Sequence, residues 1–290
     1  MRVVLVGGSG YIGSRLAARL KSDGHDVSNV SRTGRGTASV PGFTYGHMQR
    51  LFDGANVVVN LAGASLAAKR WSFQRRKELV TSRVDVTKQI VDALRECSSV
   101  PDFVSMSAAG YYGNTLVPSN EAMGKGNTFL AELCYEWEQV ALSAQSLTRV
   151  AVVRMGAILD AQYGMLPKLL TPMKLFVGGP LGRGTQFLPW VHQHDAIEAL
   201  HWLTVQQDAN GPYNVVAPEA VTWNQFSRTL GKVLHRPSCI RVPELPLRIM
   251  IGSKADLVVA GQNLQPQRLC NPTFSFKYPT LSGALTNLLS

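Results

Sequence analysis

Three glycines near the N-terminus are spaced so that a phosphate could approach the backbone. Gly7, Gly10 and Gly13 follow a short apolar, β-branched segment, and apolar residues then recur at helical spacing. A side chain at Gly7 or Gly10 would block a pyrophosphate, whereas Gly13 lets the helix pack close to the strand. Because the start of the helix also offers free N–H groups, this order of elements predicts a dinucleotide-binding turn.

A second element indicates which dinucleotide is bound. Segment 25–30 is predicted to form the next strand, and Ser31-Arg32-Thr33 follows it. An NAD site has an acidic residue here to hold the ribose 2′-hydroxyl, whereas a guanidinium can grip a 2′-phosphate through paired hydrogen bonds. Ser31 and Arg32 therefore favour NADP(H) over NAD(H). The alternative interpretation is that Arg32 is a solvated loop arginine, since Arg35 follows closely.

Composition predicts a globular protein. The 290 residues are 45% hydrophobic and 17% charged, enough for one large domain or a domain with an appended lobe. No apolar run is long enough to span a bilayer. The first predicted strand begins at residue 2, which leaves no room for an N-terminal targeting segment, so we expect the cytoplasm of a bacterium. For a eukaryotic source, the mitochondrial matrix or another organelle stays open.

The chain is strongly basic, with a formal net charge of +10 and a cluster of basic residues between Arg70 and Arg83. A basic surface suits phosphate-rich ligands, anionic membranes or RNA. No aromatic-interleaved basic motif and no helix-turn-helix pattern accompanies it, so nucleic-acid binding is not expected. Most of the excess charge is assigned to a solvated face.

The four cysteines show no spacing typical of a metal site or a redox pair. They are Cys97, Cys134, Cys239 and Cys270. We expect reduced, mostly buried thiols in a reducing compartment. No pattern of His, Cys and carboxylate residues suggests zinc, and no metal is predicted.

Strands and helices alternate through the first half of the chain, which predicts an α/β fold with a doubly wound parallel sheet of the Rossmann type. Segments 57–59, 103–107 and 150–154 are the predicted strands. The residues at 80–94 with helical spacing predict one helix between them, and those at 129–140 predict another.

The second half is rich in glycine and proline and predicts a smaller lobe that shapes a pocket. We assign residues 1–158, with a return segment at about 188–216, to an NADP-binding domain. Residues 159–187 and 217–290 form the C-terminal lobe. Thr222 with Gln225 predicts a capping box, and Trp190-Val-His192 with Asp195 predicts a strand end and the cap of a helix over 196–203.

The whole chain resembles the extended branch of the short-chain dehydrogenase/reductase superfamily. The likeness rests on the glycine motif with Asn60-Leu-Ala-Gly63, Ser107-Ala-Ala-Gly-Tyr-Tyr-Gly113, Arg154-x-Gly156 and Trp190-Val-His192-x-x-Asp195. The atypical, nucleotide-sugar-epimerase-like "epimerase family" subgroup, which has a C-terminal domain of unknown function, is the closer match. That match rests on Lys69-Arg-Trp71, Ser82-Arg-Val84, Gly178-Gly-Pro-Leu-Gly-x-Gly184, Asn214-Val-Val-Ala-Pro218, Gly261-Gln262 and Pro266-Gln-Arg268.

The resemblance implies an NADP-binding fold and extends the set of cofactor neighbours. It places the backbone of residues 61–63 under adenosine, Glu78 and Arg83 on a helix that faces the cofactor, and Ile158 near the nicotinamide half. With the residues predicted above, the cofactor-binding set is Gly7, Gly10, Tyr11, Ile12, Gly13, Ser31, Arg32, Leu61, Ala62, Gly63, Glu78, Arg83 and Ile158.

The usual catalytic dyad of the superfamily is missing. Typical members carry Tyr-x-x-x-Lys, in which the lysine lowers the tyrosine pKa so that the phenol exchanges a proton with a carbonyl. No tyrosine here has a lysine four residues later. Aligning Glu138 with the acidic residue after the dyad puts Leu130 and Cys134 in the dyad positions. Arg83 falls where the superfamily has an asparagine.

Three hydroxyl groups remain as catalytic candidates: Ser107, Tyr111 and Tyr112. Ser107 matches the catalytic serine of the superfamily, and a hydroxyl there can polarise a carbonyl. The alternative is that these groups only satisfy the backbone at the end of a strand.

Two functions stay open. The first is an NADP(H)-dependent oxidoreductase or epimerase-like enzyme with a rearranged proton donor, acting on an unknown small carbonyl or sugar-type substrate. The second is a non-catalytic NADP(H)-binding protein that serves as a structural, assembly or redox-sensing subunit. A homodimer or a larger protein complex is compatible with either function.

Overall fold

The computed structural model describes residues 1–36 and 42–290, with alternating strands and helices in the first half. The strands are β1 (Arg2–Val6), β2 (Asp26–Val30), β3 (Gly42–Phe43), β4 (Val57–Asn60), β5 (Asp102–Ala108), β6 (Thr115–Ser119), β7 (Val150–Met155), β8 (Ala157–Leu159), β9 (Phe187–Leu188), β10 (Trp190–His192), β11 (Gly211–Val215), β12 (Val221–Thr222) and β13 (Gln262–Leu264). The α-helices are α1 (Tyr11–Ser22), α2 (Met48–Phe52), α3 (Phe73–Val80), α4 (Val86–Arg95), α5 (Phe129–Leu142), α6 (Leu166–Lys174), α7 (Gln193–Val205), α8 (Trp223–Leu234), α9 (Glu244–Ile251), α10 (Asp256–Val259) and α11 (Leu281–Leu289).

Within the described residues, the central sheet has seven parallel strands in the order β11-β7-β5-β4-β1-β2-β3. From β1 the chain runs outward through β2 and β3. It then returns to β4 on the other side of β1 and runs outward again through β5, β7 and β11. β1 and β4 therefore flank the point where the strand order reverses, which is where open α/β sheets bind ligands.

The sheet is buried on both faces because side chains alternate between two layers of helices. On one face, Val3 and Leu5 of β1 pack in a cluster with Leu16 of α1. On the other face, Val4 and Val6 pack in a cluster with residues of α4 and α5. Since helices cover both faces, the predicted doubly wound parallel-sheet Rossmann fold is confirmed.

A third apolar cluster lies in the second half of the chain. Trp190 packs there with Leu166 of α6, Trp223 and Phe226 of α8, and Leu285 of α11. The capping box predicted at Thr222 and Gln225 is present at the start of α8. The cluster therefore combines β10, from the predicted return segment, with helices of the predicted lobe.

The helix predicted over 80–94 is longer and less regular than its apolar spacing suggests. Helical structure runs from Phe73 to Arg95, and Thr81–Asp85 within it is a π-helical segment between α3 and α4. A π-turn adds one residue per turn locally, which apolar spacing alone does not reveal.

The helix predicted over 196–203 also begins earlier, at Gln193. Its N-cap is His192, whose Nδ1 accepts a hydrogen bond from the His194 N–H at 3.0 Å. Asp195, predicted as part of the cap, instead accepts hydrogen bonds from the N–H groups of Lys277 and Tyr278, both at 2.9 Å. The expectation that Asp195 caps this helix is therefore wrong, because its carboxylate binds the C-terminal segment.

The expectation of mostly buried cysteines is wrong for half of them. Cys134 is buried and Cys97 is half-buried, whereas Cys239 and Cys270 are exposed. All four are free thiols. In the described part of the chain, no helix is long and apolar enough to cross a membrane.

Candidate functional site

The glycine turn at the carboxyl end of β1 leaves almost no room for side chains. Gly7 has a φ of +84°, and a Cβ there would lie 2.9 Å from the backbone of Ala62 after β4. A Cβ on Gly13 would lie 2.4 Å from Cα of Gly8. Protein packing alone therefore requires glycine at positions 7 and 13.

Gly10 differs, because the nearest protein atom to a Cβ there would be the Gly7 carbonyl oxygen at 3.5 Å. That is an ordinary contact, so no described neighbour excludes a side chain at Gly10. This residue is the N-cap of α1, and no side chain caps the helix. Open space beside Gly10 and the free N–H groups of Tyr11 and Ile12 together fit a bound phosphate.

The loop after β4 is fixed against this turn. Leu61 donates its N–H to the Val6 carbonyl at 2.8 Å, and Ala62 donates to the Asn60 side chain at 3.1 Å. Ala62 is buried, while Leu61 is half-buried and Gly63 is exposed. The three residues predicted to lie beneath adenosine therefore lie at the carboxyl ends of the neighbouring strands β1 and β4.

Arg32 follows β2, the strand on the other side of β1 from β4. Its side chain is exposed and makes no hydrogen bond or ion pair within the described residues. Its positive charge nevertheless acts on Tyr45 and on the Glu78 carboxylate. Ser31 is buried, and its hydroxyl donates to the Arg35 carbonyl at 3.3 Å. Among the described residues the Arg32 guanidinium therefore has no partner, whereas the Ser31 hydroxyl is hydrogen-bonded within the loop.

Glu78 is exposed on α3 and faces three cations. The Arg75 guanidinium donates to it at 2.6 Å, which lowers the pKa of the carboxyl, and Lys69 and Arg32 lower it further. The cations outnumber this single carboxylate, so the rim formed by Arg32, Lys69, Arg75 and Glu78 is positively charged. A basic rim attracts an anionic group such as a phosphate.

Arg83, in the π-helical segment, is buried beneath the loop after β4. Its guanidinium donates to the carbonyl of Ala64 at 2.9 Å and to that of Leu79 at 3.2 Å. A Cβ on Gly63 would lie 3.1 Å from its Cζ. Burial lowers the pKa of this arginine to about 10.

The positions of the missing dyad lie on α5 and contain no proton carrier. Leu130 contacts Gly110, where a Cβ would lie 3.2 Å from Cβ of Leu130 and 3.9 Å from Sγ of Cys134. Burial, with the nearby Glu138 charge, raises the pKa of the Cys134 thiol to about 12. The thiol therefore stays protonated at neutral pH and supplies neither a base nor a nucleophile.

A buried polar network holds two of the three hydroxyl candidates. Ser107 donates to Glu138 at 2.5 Å, and Glu138 pairs with Arg154 at 2.8 Å. Arg154 in turn donates to the Tyr112 hydroxyl at 2.8 Å, and Tyr112 donates to Asn214 at 2.7 Å. Burial raises the pKa of Tyr112 to about 12. The network therefore fixes Ser107 and Tyr112 in one arrangement across β5, α5, β7 and β11.

Tyr111 is not part of the series of hydrogen bonds from Ser107 to Asn214, but it contacts that network through Arg154. It is half-buried, and the Arg154 guanidinium lies over its ring with Cζ 3.5 Å from the centroid. Burial raises its pKa, although the Arg154 charge opposes the change. Tyr111 is therefore a protonated phenol at neutral pH, in the segment that directly follows β5.

Tyr11 makes a contact that the sequence did not predict. Its hydroxyl donates to the buried Asp160 carboxylate at 2.5 Å, and its ring stacks on Tyr163 with centroids 4.5 Å apart. Arg15 lies over the Tyr11 ring, with Cζ 4.0 Å from the centroid. These contacts join the first turn of α1 to the loop after β8. Ile158 of β8 is half-buried two residues before Asp160.

Similarity to known proteins agrees with this geometry. The model of the NAD dependent epimerase/dehydratase family matches residues 3–216, and that of a domain of unknown function, DUF1731, matches residues 242–288. The chain belongs to this epimerase/dehydratase family. Its short-chain dehydrogenase/reductase resemblance and its nucleotide-binding Rossmann fold are thereby confirmed.

Two relatives and one further structure show which known proteins this epimerase-family chain is similar to. It is 32% identical to the mouse epimerase family protein SDR39U1, with 100% of both chains covered. The crystal structure of human SDR39U1 (isoform 2) with NADPH matches at a TM-score of 0.91 and 29% identity, covering 99% of each chain. MoeE5 in complex with UDP-glucose and NAD matches at a TM-score of 0.76 and 17% identity, covering 99% of this chain and 97% of the other. The last match shows the shared fold alone.

One group of metal-type ligands occurs in the described residues of this family member. Potential ligand atoms of Asp23, His25 and His201 lie within 4.8 Å of one another. The Asp23 carboxylate is already paired with Arg19 and lies 2.9 Å from His201 Nε2. The Arg19–Asp23 ion pair lies within the end of α1, and the contact of Asp23 with His201 joins this end to α7.

Proposed function

We propose that the protein binds NADP(H) at the carboxyl ends of β1 and β4, where the strand order reverses. The pyrophosphate would lie at the glycine turn with Tyr11 and Ile12, and the 2′-phosphate at Ser31 and Arg32. Residues 61–63, Glu78, Arg83 and Ile158 complete the site. Supporting observations are the open, uncapped helix start at Gly10, the lack of a described partner for the Arg32 guanidinium, and the NADPH of the human relative.

The function that this site supports best is reduction or oxidation of a small carbonyl or sugar-type substrate. When bound, the nicotinamide supplies or accepts the hydride, so the protein must move one proton to or from the carbonyl oxygen. Tyr111 is our proposed proton donor, because its phenol is protonated and Arg154, the network residue beside it, only donates hydrogen bonds and so leaves the phenol proton available. Ser107 and Tyr112 would position the residues around it through Glu138 and Arg154.

We further propose that the substrate lies between two parts of the chain. Residues 1–158 with the return segment 188–216 would hold the cofactor, and residues 159–187 and 217–290 would form the lobe over it. The hydrogen bond from Tyr11 to Asp160 supports this division, since it joins the cofactor turn to the first residues of the lobe.

Turnover with NADPH and NADP⁺ tests the enzymatic proposal. Tag-free protein is offered a library of aldehydes, ketones, alcohols and nucleotide sugars, and the absorbance of NADPH is followed. For any substrate found, Tyr111→Phe should lower kcat by about 10²–10⁴-fold, the usual contribution of a general acid, and leave the NADPH Kd unchanged. Tyr135→Phe, an exposed tyrosine on α5, is the matched control. Equal kcat values for the two variants would remove Tyr111 from the mechanism.

The residues at the two dyad positions favour a second function. Leu130 and the protonated Cys134 thiol carry no proton relay, and the hydroxyls of Ser107 and Tyr112 are already engaged. These observations support a non-catalytic NADP(H)-binding subunit of a larger complex. Mass spectrometry of small molecules and proteins that co-purify with the native protein separates the two functions. A retained nucleotide with a stoichiometric protein partner and no turnover would favour the subunit.

A further inference from the structure

Arg83 carries a buried positive charge that no carboxylate neutralises. The residue is 9% exposed, and its hydrogen-bond acceptors in the described chain are two backbone carbonyls and the Ser82 hydroxyl. The other two buried arginines of the described residues each have a carboxylate partner: Arg75 pairs with Glu78 at 2.6 Å, and Arg154 pairs with Glu138 at 2.8 Å. Burying an unpaired charge is costly, so its presence at Arg83 calls for a functional explanation.

The backbone around Arg83 also indicates that this residue has a functional role. Thr81–Asp85 is π-helical, although the helical run continues on both sides as α3 and α4. Such insertions are rare and are frequently found at functional sites. Here the π-turn buries both Arg83 and Val84, which are consecutive residues.

The guanidinium lies between the loop after β4 and helix α5. On one side it contacts Gly63, which follows β4. On the other side it lies over the ring of Trp137 on α5, with Cζ 5.4 Å from the centroid, and the same helix carries the dyad positions Leu130 and Cys134. Arg32, the proposed 2′-phosphate ligand, follows β2 on the opposite side of β1. A dinucleotide whose adenosine half lies toward β2 and over residues 61–63 extends its nicotinamide half past the loop after β4, toward β5 and α5.

We propose that Arg83 makes this protein bind NADPH in preference to NADP⁺. The oxidised nicotinamide ring carries a positive charge and the reduced ring is neutral, whereas the phosphates and riboses are the same in both. An unneutralised cation beneath the nicotinamide half therefore penalises the oxidised form alone. The inference rests on the proposed binding of NADP(H), but it does not depend on catalysis.

The ratio of two dissociation constants tests the proposal. Isothermal titration calorimetry gives the Kd of NADP⁺ and the Kd of NADPH for the wild type, Arg83→Gln and Arg83→Lys. In the wild type NADPH should bind about tenfold more tightly, the order expected for two unit charges in a partly buried site. Arg83→Gln should abolish most of this preference, and Arg83→Lys should keep it because the charge remains.

Two controls separate charge from folding and from phosphate binding. Arg76→Gln removes an exposed charge from the same helix and should leave the ratio unchanged. The fragment 2′,5′-ADP contains no nicotinamide, so its Kd should be equal for the wild type and Arg83→Gln, which also shows that the variant is folded.

Three results would overturn the inference. Equal affinities of NADPH and NADP⁺ for the wild type would exclude the preference while leaving the proposed cofactor site intact. A parallel loss of both affinities in Arg83→Gln would assign Arg83 to the phosphates. Failure of the wild type to bind either nucleotide or 2′,5′-ADP would remove the proposed function and this inference together.

Discussion

The carboxylate of Glu138 and the guanidinium of Arg154 form a buried ion pair at 2.8 Å, with side chains 2% and 4% exposed. Glu138 is on α5 and Arg154 is on β7, so the pair joins a covering helix to the central sheet. It also accepts the Ser107 hydroxyl at one end and donates to Tyr112 at the other. Removing either charge leaves its partner buried and unpaired.

We therefore expect Glu138→Gln to lower the free energy of unfolding by about 3–5 kcal/mol, the usual cost of breaking a buried ion pair. Urea unfolding followed by circular dichroism measures this change. Glu136→Gln, an exposed residue on the same helix, is the matched control and should change stability by less than about 0.5 kcal/mol. Similar values for the two variants would show that the ion pair does not stabilise the fold.

Gly10→Ala should separate cofactor binding from folding. A Cβ at Gly10 meets no described atom closer than 3.5 Å, so the free energy of unfolding should change little. The new methyl group would occupy the space assigned to the pyrophosphate, and the NADPH Kd should rise at least about tenfold. Gly124→Ala, at a glycine where a Cβ meets nothing within 4 Å, should leave both quantities unchanged. Unchanged NADPH affinity in Gly10→Ala would place the phosphates elsewhere.

Arg32→Asp should change which dinucleotide is bound. Loss of a charged hydrogen bond to the 2′-phosphate is expected to weaken NADPH binding by about 1.5–3 kcal/mol, whereas NADH has no such phosphate and should be unaffected or bind better. Fluorescence titration of both nucleotides gives the two Kd values. Arg35→Asp, an exposed arginine in the same loop, controls for the general loss of positive charge. If both variants weaken NADPH equally, the effect is electrostatic and Arg32 is not a specific ligand.

The features predicted well from the sequence are those that depend on residues close together in the chain. The apolar segments 57–59 and 150–154 are β4 and β7, each one residue longer at its carboxyl end. The glycine spacing also predicted the turn after β1, because the positive φ of Gly7 and the close approach of Gly13 to Gly8 are both local constraints. Burial on both faces and short-range spacing decide such elements.

The features that could not be predicted depend on residues distant in the chain. Tyr11 and Asp160 are separated by 149 residues, and neither spacing nor residue type links them. A basic residue on a predicted helix is ordinarily solvated, so the sequence does not reveal that Arg83 is buried without a carboxylate partner. The π-helical segment at Thr81–Asp85 likewise follows from packing and leaves no mark in the apolar pattern.

His192, the N-cap of α7, should make stability depend on pH. Burial, with a smaller contribution from His194, lowers the pKa of its imidazole from 6.5 to about 4. The folded protein therefore keeps this ring neutral at a pH where the unfolded chain binds a proton. Between these two pKa values the unfolded state holds more protons, so the free energy of unfolding must fall as the pH decreases from about 6.5 toward 4.

His192→Asn removes the titrating group while retaining an N-cap, because asparagine caps helices well. From pH 7 to pH 5 the wild type should lose about 2 kcal/mol more than this variant, as follows from the separation of the two pKa values. His235→Asn removes an exposed histidine with a φ of +54°, a conformation that asparagine tolerates, and should keep the wild-type slope. Urea unfolding at several pH values measures all three proteins. Parallel pH profiles for the wild type and His192→Asn would mean that the imidazole titrates alike in both states and that burial does not hold it neutral.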